Sequence, residues 1–340
     1  MNTTNRRIVL ASRPVGEPTP ADFRLEQQPV PEPGDGEVLL RTLYLSLDPY
    51  MRGRMSDAPS YAAPVAINAV MCGATVCRVE NSRAEKFRTG DLVLAYSGWQ
   101  DYAVSPAKGL VKLDAQGVPP SWALGILGMP GMTAYVGLLD IGQPKAGETV
   151  VVAAATGPVG SAVGQIARLK GCRAIGIAGG TEKCDYAVRE LGFDLCLDHY
   201  RDDLPQQLAA ACPQGIDVYF ENVGGHVLQA VVPLLNVNAR MPLCGVIAWY
   251  NLDRLSAGPD FTPVLMRRLL AQRVKLQGFI VSDHGARLAD FQRDMAGWLR
   301  EGKVRYREDV VEGLEHAPGA FIGLLKGSNF GKLVIRVSPG

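Results

Sequence analysis

The residues best suited to chemistry form a short glycine-containing turn, Thr156-Gly157-Pro158-Val159-Gly160. A glycine at 157 lets the main chain approach a pyrophosphate, and a glycine at 160 lets a helix pack closely on a strand. The N–H groups at the start of a helix after such a turn bind anionic oxygens. Ala155 replaces the first glycine of the usual fingerprint, so the prediction of a dinucleotide site depends on the elements around the turn.

Those elements are a strand, the turn, a helix and a second strand. Residues 148–155 are rich in β-branched side chains, as is typical of a buried parallel strand. Residues 161–170 repeat apolar side chains at helical spacing, and residues 173–178 predict a strand that ends before Gly179-Gly180-Thr181-Glu182-Lys183. This order predicts a mononucleotide-binding βαβ unit.

The end of the second strand indicates which nicotinamide cofactor is bound. An NAD site usually has Asp or Glu about 20 residues past the turn, where it holds the ribose 2′-hydroxyl. Gly179-Gly180 occupy that place and leave room for a 2′-phosphate, with Lys183 within reach. The alternative is that Lys183 is an ordinary solvated lysine, and the adjacent acidic Glu182 argues against the phosphate role. We expect NADPH rather than NADH.

The composition favours a large globular protein of about two domains. The chain has 340 residues, of which 47% are hydrophobic, and a formal net charge of +1, which gives no electrostatic reason to expect nucleic acid or a membrane surface as partner. No apolar run approaches membrane-spanning length, and we expect no signal peptide. The seven cysteines are scattered and odd in number, which favours reduced thiols and a cytoplasmic location.

The chain changes character near residue 123. Before it, short alternating runs separated by turns predict strands at 6–10, 23–28, 37–44, 70–79, 92–95 and 100–104. After it, strands and helices alternate, as expected for a doubly wound parallel sheet. The predicted strands there are 195–197, 216–220, 239–243 and 276–280, and the predicted helices are 184–191, 204–211, 225–234, 261–272 and 286–300. Residues 331–337 predict a further strand that returns to the first domain.

Several local strings resemble the medium-chain dehydrogenase/reductase superfamily, and more narrowly its zinc-free branch of prostaglandin reductases, plant double-bond (2-alkenal) reductases and bacterial NADPH-dependent curcumin reductases. They span nearly the whole chain: Ser46-Leu-Asp-Pro-Tyr-Met-Arg52, Gly128-Met-Pro-Gly-Met-Thr-Ala-Tyr135, Ala153-Ala-Ala-Thr-Gly-Pro-Val-Gly160, Phe220-Glu-Asn-Val-Gly-Gly225, Cys244-Gly-Val-Ile-Ala-Trp-Tyr-Asn251, Gln277-Gly-Phe-Ile-Val281 and Asn329-Phe-Gly-Lys332. The Asp-Pro-Tyr-Met-Arg string is the most specific of these.

The resemblance implies an α/β protein of two domains with a ligand cleft between them. Residues 1–123 and 305–340 would form a GroES-like, barrel-type catalytic domain, and residues 124–304 a Rossmann NADP-binding domain. A homodimer is the family expectation. The segment Met71-Cys-Gly-Ala-Thr-Val-Cys77 departs from relatives, which have more glycine there.

The resemblance also assigns cofactor-binding residues at the matching positions. Thr156, Gly157, Pro158, Val159 and Gly160 would meet the pyrophosphate, and Lys183 and Tyr200 the 2′-phosphate. Asn222 would contact the ribose on the nicotinamide side, and Asn329 would close over the cofactor. The nicotinamide would be lined by residues 244–250 and 279–281, which include Cys244, Gly245, Val246, Tyr250, Phe279, Ile280 and Val281.

No metal is expected. Zinc members of the superfamily need thiolate and imidazole ligands that converge on one ion. Where they carry a ligand cysteine, this chain has Ser46-Leu47-Asp48, and its four histidines all lie in the second half.

Without a metal, a conjugated enone or enal is the easier substrate for hydride transfer, because the resulting enolate is delocalised and can be met by hydrogen-bond donors. A tyrosine with a pKa of about 10 is neutral at working pH, so it can donate a hydrogen bond to the enolate oxygen or protonate the α-carbon. Tyr50 and Tyr250 match family motifs that face the cleft. Tyr250 is the first choice as donor, and the alternative is that its ring is a pocket wall while solvent or a ribose hydroxyl supplies the proton. Tyr50 is expected to shape the substrate pocket.

The sequence therefore predicts an NADPH-dependent reductase of α,β-unsaturated carbonyl compounds that needs neither metal nor flavin. An NADPH:quinone oxidoreductase is the enzymatic alternative, and a non-catalytic NADPH-binding structural or sensor protein is an alternative of another class. The loops at 56–68 and 251–260 are expected to select the substrate.

Overall fold

A computed structural model of the chain describes residues 4–113, 117–254 and 258–339. These residues contain fifteen strands: β1 Thr4–Leu10, β2 Phe23–Pro29, β3 Glu37–Ser46, β4 Thr75–Ser82, β5 Leu92–Ala95, β6 Tyr102–Pro106, β7 Val111–Lys112, β8 Thr149–Ala153, β9 Arg173–Ala178, β10 Leu195–Asp198, β11 Ile216–Phe220, β12 Leu235–Leu243, β13 Lys275–Gly278, β14 Glu308–Glu312 and β15 Lys332–Arg336.

The same residues contain nine α-helices: α1 Met51–Arg54, α2 Met129–Val136, α3 Pro158–Leu169, α4 Thr181–Arg189, α5 Leu204–Ala211, α6 Gly225–Val231, α7 Thr262–Gln272, α8 Leu288–Arg300 and α9 Ala317–Leu325. A π-helical turn, Gly137–Gly142, continues α2.

The chain divides into two compact units. The first contains residues 1–124, 251–253 and 308–340, and the second contains residues 125–250 and 254–307. Residues 251–253 thus group with the first unit although the residues on both sides of them belong to the second.

The second unit is built on a six-stranded sheet in the order β10-β9-β8-β11-β12-β13. Each neighbouring pair is parallel. Counted from β8 along the chain, this is the order 3-2-1-4-5-6 of the dinucleotide-binding fold, whose switch point lies between its first and fourth strands. The predicted doubly wound parallel sheet is confirmed, and its switch point lies between β8 and β11.

Apolar residues explain why these strands are central. All five residues of β8 are buried, and so are the last five of β9. Val151, Ile175, Leu208, Tyr219 and other buried side chains form one continuous core. Strands buried on both faces carry near-continuous apolar runs. The bounds of β9 were therefore predicted correctly, whereas β8 is shorter than the predicted run at 148–155.

The first unit contains a mixed sheet in the order β14-β15-β3-β4-β5-β7, with β6 also paired to β3, and a separate hairpin of β1 and β2. The predicted strand near the end of the chain does return to this unit. It lies between β14, to which it is parallel, and β3, to which it is antiparallel. Phe23, Trp99 and Phe321 pack together in the core, with the rings of Phe23 and Trp99 stacked at 5.6 Å.

Several predicted strands differ from the structure in their bounds; the strand predicted at 239–243, for example, begins at Leu235. The strand predicted at 70–79 begins only at Thr75, because the main chain of Met71 instead bonds with Ile8 and Trp99. A Cβ at Gly73 would lie 2.8 Å from a methyl carbon of Leu45, so the chain passes this point too closely to continue the strand. The strand predicted at 276–280 ends at Gly278.

No helix among the described residues is long and apolar enough to span a bilayer.

Candidate functional site

Every predicted cofactor-binding residue of the second unit follows the carboxyl end of a parallel strand. Residues 156–160 follow β8, Lys183 follows β9, Tyr200 follows β10, Asn222 follows β11, residues 244–250 follow β12 and residues 279–281 follow β13. In an open α/β sheet, this edge is where ligands bind. The sheet therefore brings these segments to one edge from distant parts of the sequence.

The glycine turn is held by a left-handed residue that is not glycine. Ala154 has a φ of 55°, and its carbonyl accepts a hydrogen bond of 2.9 Å from the Gly157 N–H. A Cβ at Gly160 would lie 2.2 Å from the same carbonyl oxygen, so only glycine fits where α3 crosses the turn. Position 160 is thus glycine because of helix–strand packing, as predicted from the spacing.

The start of α3 is suited to an anion. Pro158 occupies the first turn, where its missing N–H costs nothing, and no side chain caps this helix end in the described structure. The first N–H groups of an α-helix have no intrahelical acceptor, and the helix dipole favours negative charge there. These main-chain groups can therefore receive phosphate oxygens.

Ala155 replaces the first glycine of the usual fingerprint, and a glycine of the neighbouring strand β9 leaves room for it. Ala155 is fully buried. A Cβ at Gly176 in β9 would lie 2.8 Å from the Cβ of Ala155 and 3.0 Å from the Sγ of Cys196. Because position 176 is glycine, the Cβ of Ala155 has the space that it needs.

The predicted 2′-phosphate residues lie around a second glycine pair. A Cβ at Gly179 would lie 2.9 Å from the ring and hydroxyl atoms of Tyr200, so this ring sits directly on Gly179. Gly180 has a φ of 88° and precedes α4, whose first turn contains Lys183. Tyr200 is 64% exposed. An exposed phenol and a lysine thus flank a turn that has glycine at the two positions where an NAD site usually has an acid.

Sequence reasoning missed the residue that organises this corner. One carboxylate oxygen of Asp198, Oδ1, accepts the N–H of Gly180 at 2.8 Å and the N–H of Tyr200 at 3.0 Å. Asp198 therefore joins the two predicted phosphate-binding segments. The available signal was an acidic residue at the end of the strand predicted at 195–197.

The side chain of Asn222 makes a hydrogen bond across the switch point of the sheet, between β11 and β8. Its side-chain amide donates to the Ala153 carbonyl at 2.8 Å, which connects the end of β11 to the end of β8. Its own carbonyl accepts the N–H of Ile247 at 3.3 Å, and the Val223 carbonyl accepts the N–H of Ala248 at 3.0 Å. The turn after β11 and the loop after β12 are thus bonded to each other.

Two side chains in that loop have defined surroundings. Burial and the nearby Glu221 carboxyl raise the pKa of the Cys244 thiol to about 12, so this thiol stays protonated at neutral pH. The hydroxyl of Tyr250 accepts a long hydrogen bond, 3.4 Å, from the N–H of Val246. A Cβ at Gly245 would lie 2.9 Å from the same hydroxyl, so the phenol folds back over residues 245–246.

The segment after β13 packs against the sheet through Phe279. Its ring makes an edge contact with Phe220 at 6.4 Å, and a Cβ at Gly137 would lie 2.6 Å from it. Ile280 is extended, and Val281 begins a 3₁₀ turn. Phe279 therefore packs against the sheet, in addition to the cofactor contact that the family resemblance implies for it.

Tyr50 and Asn329 belong to the first unit. Burial, followed by the charge of Asp48, raises the pKa of the Tyr50 hydroxyl far above its usual value, so this phenol is neutral at any working pH. The guanidinium of Arg54 lies 5.8 Å from the Tyr50 ring centre and 5.0 Å from that of Tyr61. The Asn329 side-chain amide donates to the Gly331 carbonyl at 2.8 Å.

The segment that replaces the zinc-ligand cysteine holds a buried ion pair. The Lys332 ammonium donates to the Asp48 carboxylate at 2.9 Å and to the Leu47 carbonyl at 2.7 Å, and the Ser46 hydroxyl donates to the same carboxylate. Across residues 4–113, 117–254 and 258–339, no group of three or more His, Cys, Asp or Glu side chains is arranged to hold a metal ion.

Comparison with known proteins identifies the family. Residues 6–113 match the family described as the N-terminal domain of oxidoreductase, and residues 158–300 match the family described as zinc-binding dehydrogenase. The chain is 62% identical to the NADPH-dependent curcumin reductase of Escherichia coli (strain K12), over 98% of this chain and 97% of that protein. The chain belongs to the medium-chain dehydrogenase/reductase family.

Other members of this family match over nearly the full length. Prostaglandin reductase 1 of Bos taurus is 43% identical over 95% of this chain and 96% of that protein. The crystal structure of CurA from Vibrio vulnificus in complex with NADPH superposes with a TM-score of 0.96 at 60% identity, covering 98% of this chain and all of that one. The resemblance stated from local strings is confirmed.

Proposed function

We propose that this chain catalyses the NADPH-dependent reduction of the carbon–carbon double bond of α,β-unsaturated ketones and aldehydes. The observation that carries the proposal is the near-complete match to reductases named for curcumin and prostaglandin. The parallel sheet supports it, since every predicted cofactor-binding segment of the second unit follows the carboxyl end of one of its strands.

The residues at that edge fit NADPH. The glycine turn and the uncapped start of α3 would hold the pyrophosphate, and Lys183 and Tyr200 beside Gly179 would hold the 2′-phosphate. Asn222, the loop 244–246 and residues 279–281 would hold the nicotinamide side, with Asn329 closing over it. When bound, NADPH supplies the hydride that adds to the β-carbon of the substrate.

The chain's own chemical task is to stabilise the enolate oxygen and to deliver a proton to the α-carbon. Tyr250 is our choice as donor, because its phenol follows a strand end in the nucleotide-binding unit. Its hydroxyl accepts the Val246 N–H, and a hydroxyl that accepts a hydrogen bond can still donate its own proton. The alternative is that the ring is a wall and that solvent or a ribose hydroxyl supplies the proton. Tyr50 shapes the substrate pocket as a neutral phenol.

The proposal includes catalysis without a metal or flavin. Where zinc members of the family carry a ligand cysteine, this chain has Ser46-Leu47-Asp48, and the Asp48 carboxylate is bound by the buried Lys332 ammonium. A carboxylate paired in this way is a poor ligand, because binding a metal would leave the buried ammonium without its counter-charge.

A homodimer in the cytoplasm completes the proposal. Strand β13 is at the edge of the parallel sheet, and Leu276 within it and Leu270 in α7 are 40% and 81% exposed. An edge strand with exposed apolar neighbours is a surface on which a second copy can extend the sheet. The seven cysteines are all free thiols, as expected in a reducing compartment.

A panel of NADPH-oxidation assays with enones, enals and quinones tests the function. We expect turnover of enones and enals, with NADH a poorer donor than NADPH. Quinone turnover with inert enones would favour the quinone reductase instead. Tight NADPH binding with no turnover of any of these substrates would favour a binding protein.

A further inference from the structure

Glu221 is a fully buried acid at the end of β11, and the roles proposed above do not use it. One carboxyl oxygen, Oε1, accepts the N–H groups of Val223 at 2.6 Å and Gly224 at 2.9 Å. These two bonds close the turn that follows the strand. Gly224 has a φ of 74°, which glycine adopts without strain, so the turn is shaped jointly by this glycine and the carboxyl.

The main chain of the same residue joins β11 to β12. The Glu221 N–H donates to the Pro242 carbonyl at 3.0 Å, and the Glu221 carbonyl accepts the N–H groups of Cys244 at 3.0 Å and Gly245 at 3.2 Å. Glu221 thus contributes five hydrogen bonds at one point of the sheet edge, two through its side chain and three through its main chain.

The turn held by the carboxyl carries the groups that bind the neighbouring segments. Asn222 reaches β8 through Ala153, and the carbonyls of Asn222 and Val223 receive the N–H groups of Ile247 and Ala248. If the carboxyl were absent, two buried N–H groups would lose their acceptor and the turn would relax. The Asn222 side chain and the loop after β12 would then lose their common support.

The second carboxyl oxygen, Oε2, is an unusual feature of the core. It is buried and has no hydrogen-bond partner in the described structure, and neither does the hydroxyl of Tyr219. Burial, followed by the nearby Glu221 carboxyl, raises the pKa of the Tyr219 hydroxyl well above its usual value. A partly satisfied buried acid lowers stability, so its presence here is better explained by what it positions.

We propose that Glu221 is a positioning residue that holds Asn222 and residues 244–248 in the arrangement that binds the nicotinamide half of NADPH. The inference rests on the proposed function, because it takes NADPH as the ligand. The inference predicts that Glu221 affects binding of the nicotinamide half of the cofactor and has little effect on binding of the adenosine half. The adenosine half would be held by the segments after β9 and β10. None of the five hydrogen bonds of Glu221 reaches those segments.

Equilibrium binding without substrate tests this proposal. We expect E221A to raise the Kd of NADPH by about tenfold or more, since two buried N–H groups lose their acceptor. The Kd of adenosine 2′,5′-bisphosphate, which lacks both the nicotinamide and the ribose attached to it, should change by less than about threefold. E221Q should restore NADPH binding to near the wild-type value, because a glutamine oxygen can accept the same two N–H groups. Titration calorimetry with each ligand gives these constants.

Asp217 provides a matched control on the same strand. Its carboxylate accepts the Thr149 N–H at 2.9 Å and the Asn236 side-chain amide at 2.8 Å, at the opposite edge of the sheet. D217A should lower the melting temperature but leave both dissociation constants unchanged. Should E221A fail to fold, E221D, which is one methylene shorter, provides the same comparison.

Three results would overturn the assignment. One is that E221A or E221D binds NADPH as tightly as the wild type, and another is that the variants weaken both ligands equally. The third is that D217A produces the same selective loss. A folded wild-type chain that binds neither ligand would instead overturn the proposed function, and this assignment with it.

Discussion

At the scale of single residues, the chain carries two kinds of charged group near the proposed chemistry. Lys183 lies in the first turn of α4 beside Gly180. Lys332 is 1% exposed and paired with Asp48. The first is proposed to bind the 2′-phosphate, and the second is part of the core of its unit. Loss of Lys183 should therefore weaken binding, and loss of Lys332 should lower stability.

Replacing Lys183 with alanine should raise the KM for NADPH by about 10-fold to 100-fold, because a charge-assisted hydrogen bond to the 2′-phosphate is lost. The KM for NADH, which has no such phosphate, should stay nearly constant. Steady-state kinetics with both cofactors measures the two values, and Lys170→Ala, after the end of α3, is the control. Equal changes with NADPH and NADH would contradict the phosphate role.

Replacing Lys332 with methionine should lower the free energy of unfolding by about 3–5 kcal/mol, because Asp48 would be left as a buried charge without its partner. The double variant D48N/K332M should recover part of this loss. Urea unfolding monitored by circular dichroism measures the change. Lys326 forms an exposed pair with Glu17, so Lys326→Met should cost less than about 1 kcal/mol. Similar losses for the two lysines would count against a special role for burial.

The two tyrosines should differ in their kinetic effect. Tyr250→Phe should lower kcat by about 10²-fold or more if its phenol is the general acid. Tyr50→Phe should mainly change the KM for the enone. Because the pKa of Tyr50 is raised, the phenol stays protonated as pH rises, so no loss of rate between about pH 6 and 10 should come from its ionisation. A Tyr250→Phe variant with kcat within a few-fold of wild type would leave solvent or a ribose hydroxyl as the donor.

Residue contacts were the hardest feature to predict. Asp48 and Lys332 are 284 positions apart, and nothing in either local string indicates that they meet. The position of Asp198 at a strand end could be predicted from the sequence. Its two main-chain partners could not, because they depend on how β9 and β10 align. Side-chain partners are set by tertiary packing, which a single sequence does not encode locally.

At the scale of elements, the glycine turn and α3 form the structural centre of the nucleotide-binding unit. Gly160→Ala should destabilise the protein by about 1–3 kcal/mol, because its methyl group would overlap the Ala154 carbonyl and push α3 outward. Gly157→Ala, where the nearest atom would lie at 3.2 Å, should cost less. Urea unfolding of both variants gives the comparison, and equal stability of the two would show that the helix can shift freely.

Elements with strong local signals were predicted to the residue. The bounds of β5, β9, β11 and α5 were predicted correctly, because apolar runs there are bounded by turn residues. The predicted start of β4 was wrong because the main chain of Met71 bonds with Ile8 of β1 and with Trp99. The helix predicted at 286–300 begins at Leu288, because residues 281–287 form a 3₁₀ turn.

At the scale of the whole molecule, the proposed dimer makes a specific prediction. Leu276→Lys places a charge on the exposed edge strand β13 and should convert the dimer to a monomer. Light scattering coupled to gel filtration measures the mass. Val310→Lys in β14, the edge strand of the other sheet, is the matched control and should leave the mass unchanged. A wild-type protein that is already monomeric would contradict the proposal.

The position of β15 also has a consequence for how the protein is made. Residues 332–336 lie between β14 and β3, so the sheet that begins with β3 lacks an inner strand until nearly 300 further residues have been synthesised. The nucleotide-binding unit, by contrast, has all of its strands once residue 278 has left the ribosome. The unit whose sequence starts first should therefore be the last to fold, and until then residues 44–46 of β3 lack the strand that pairs with them.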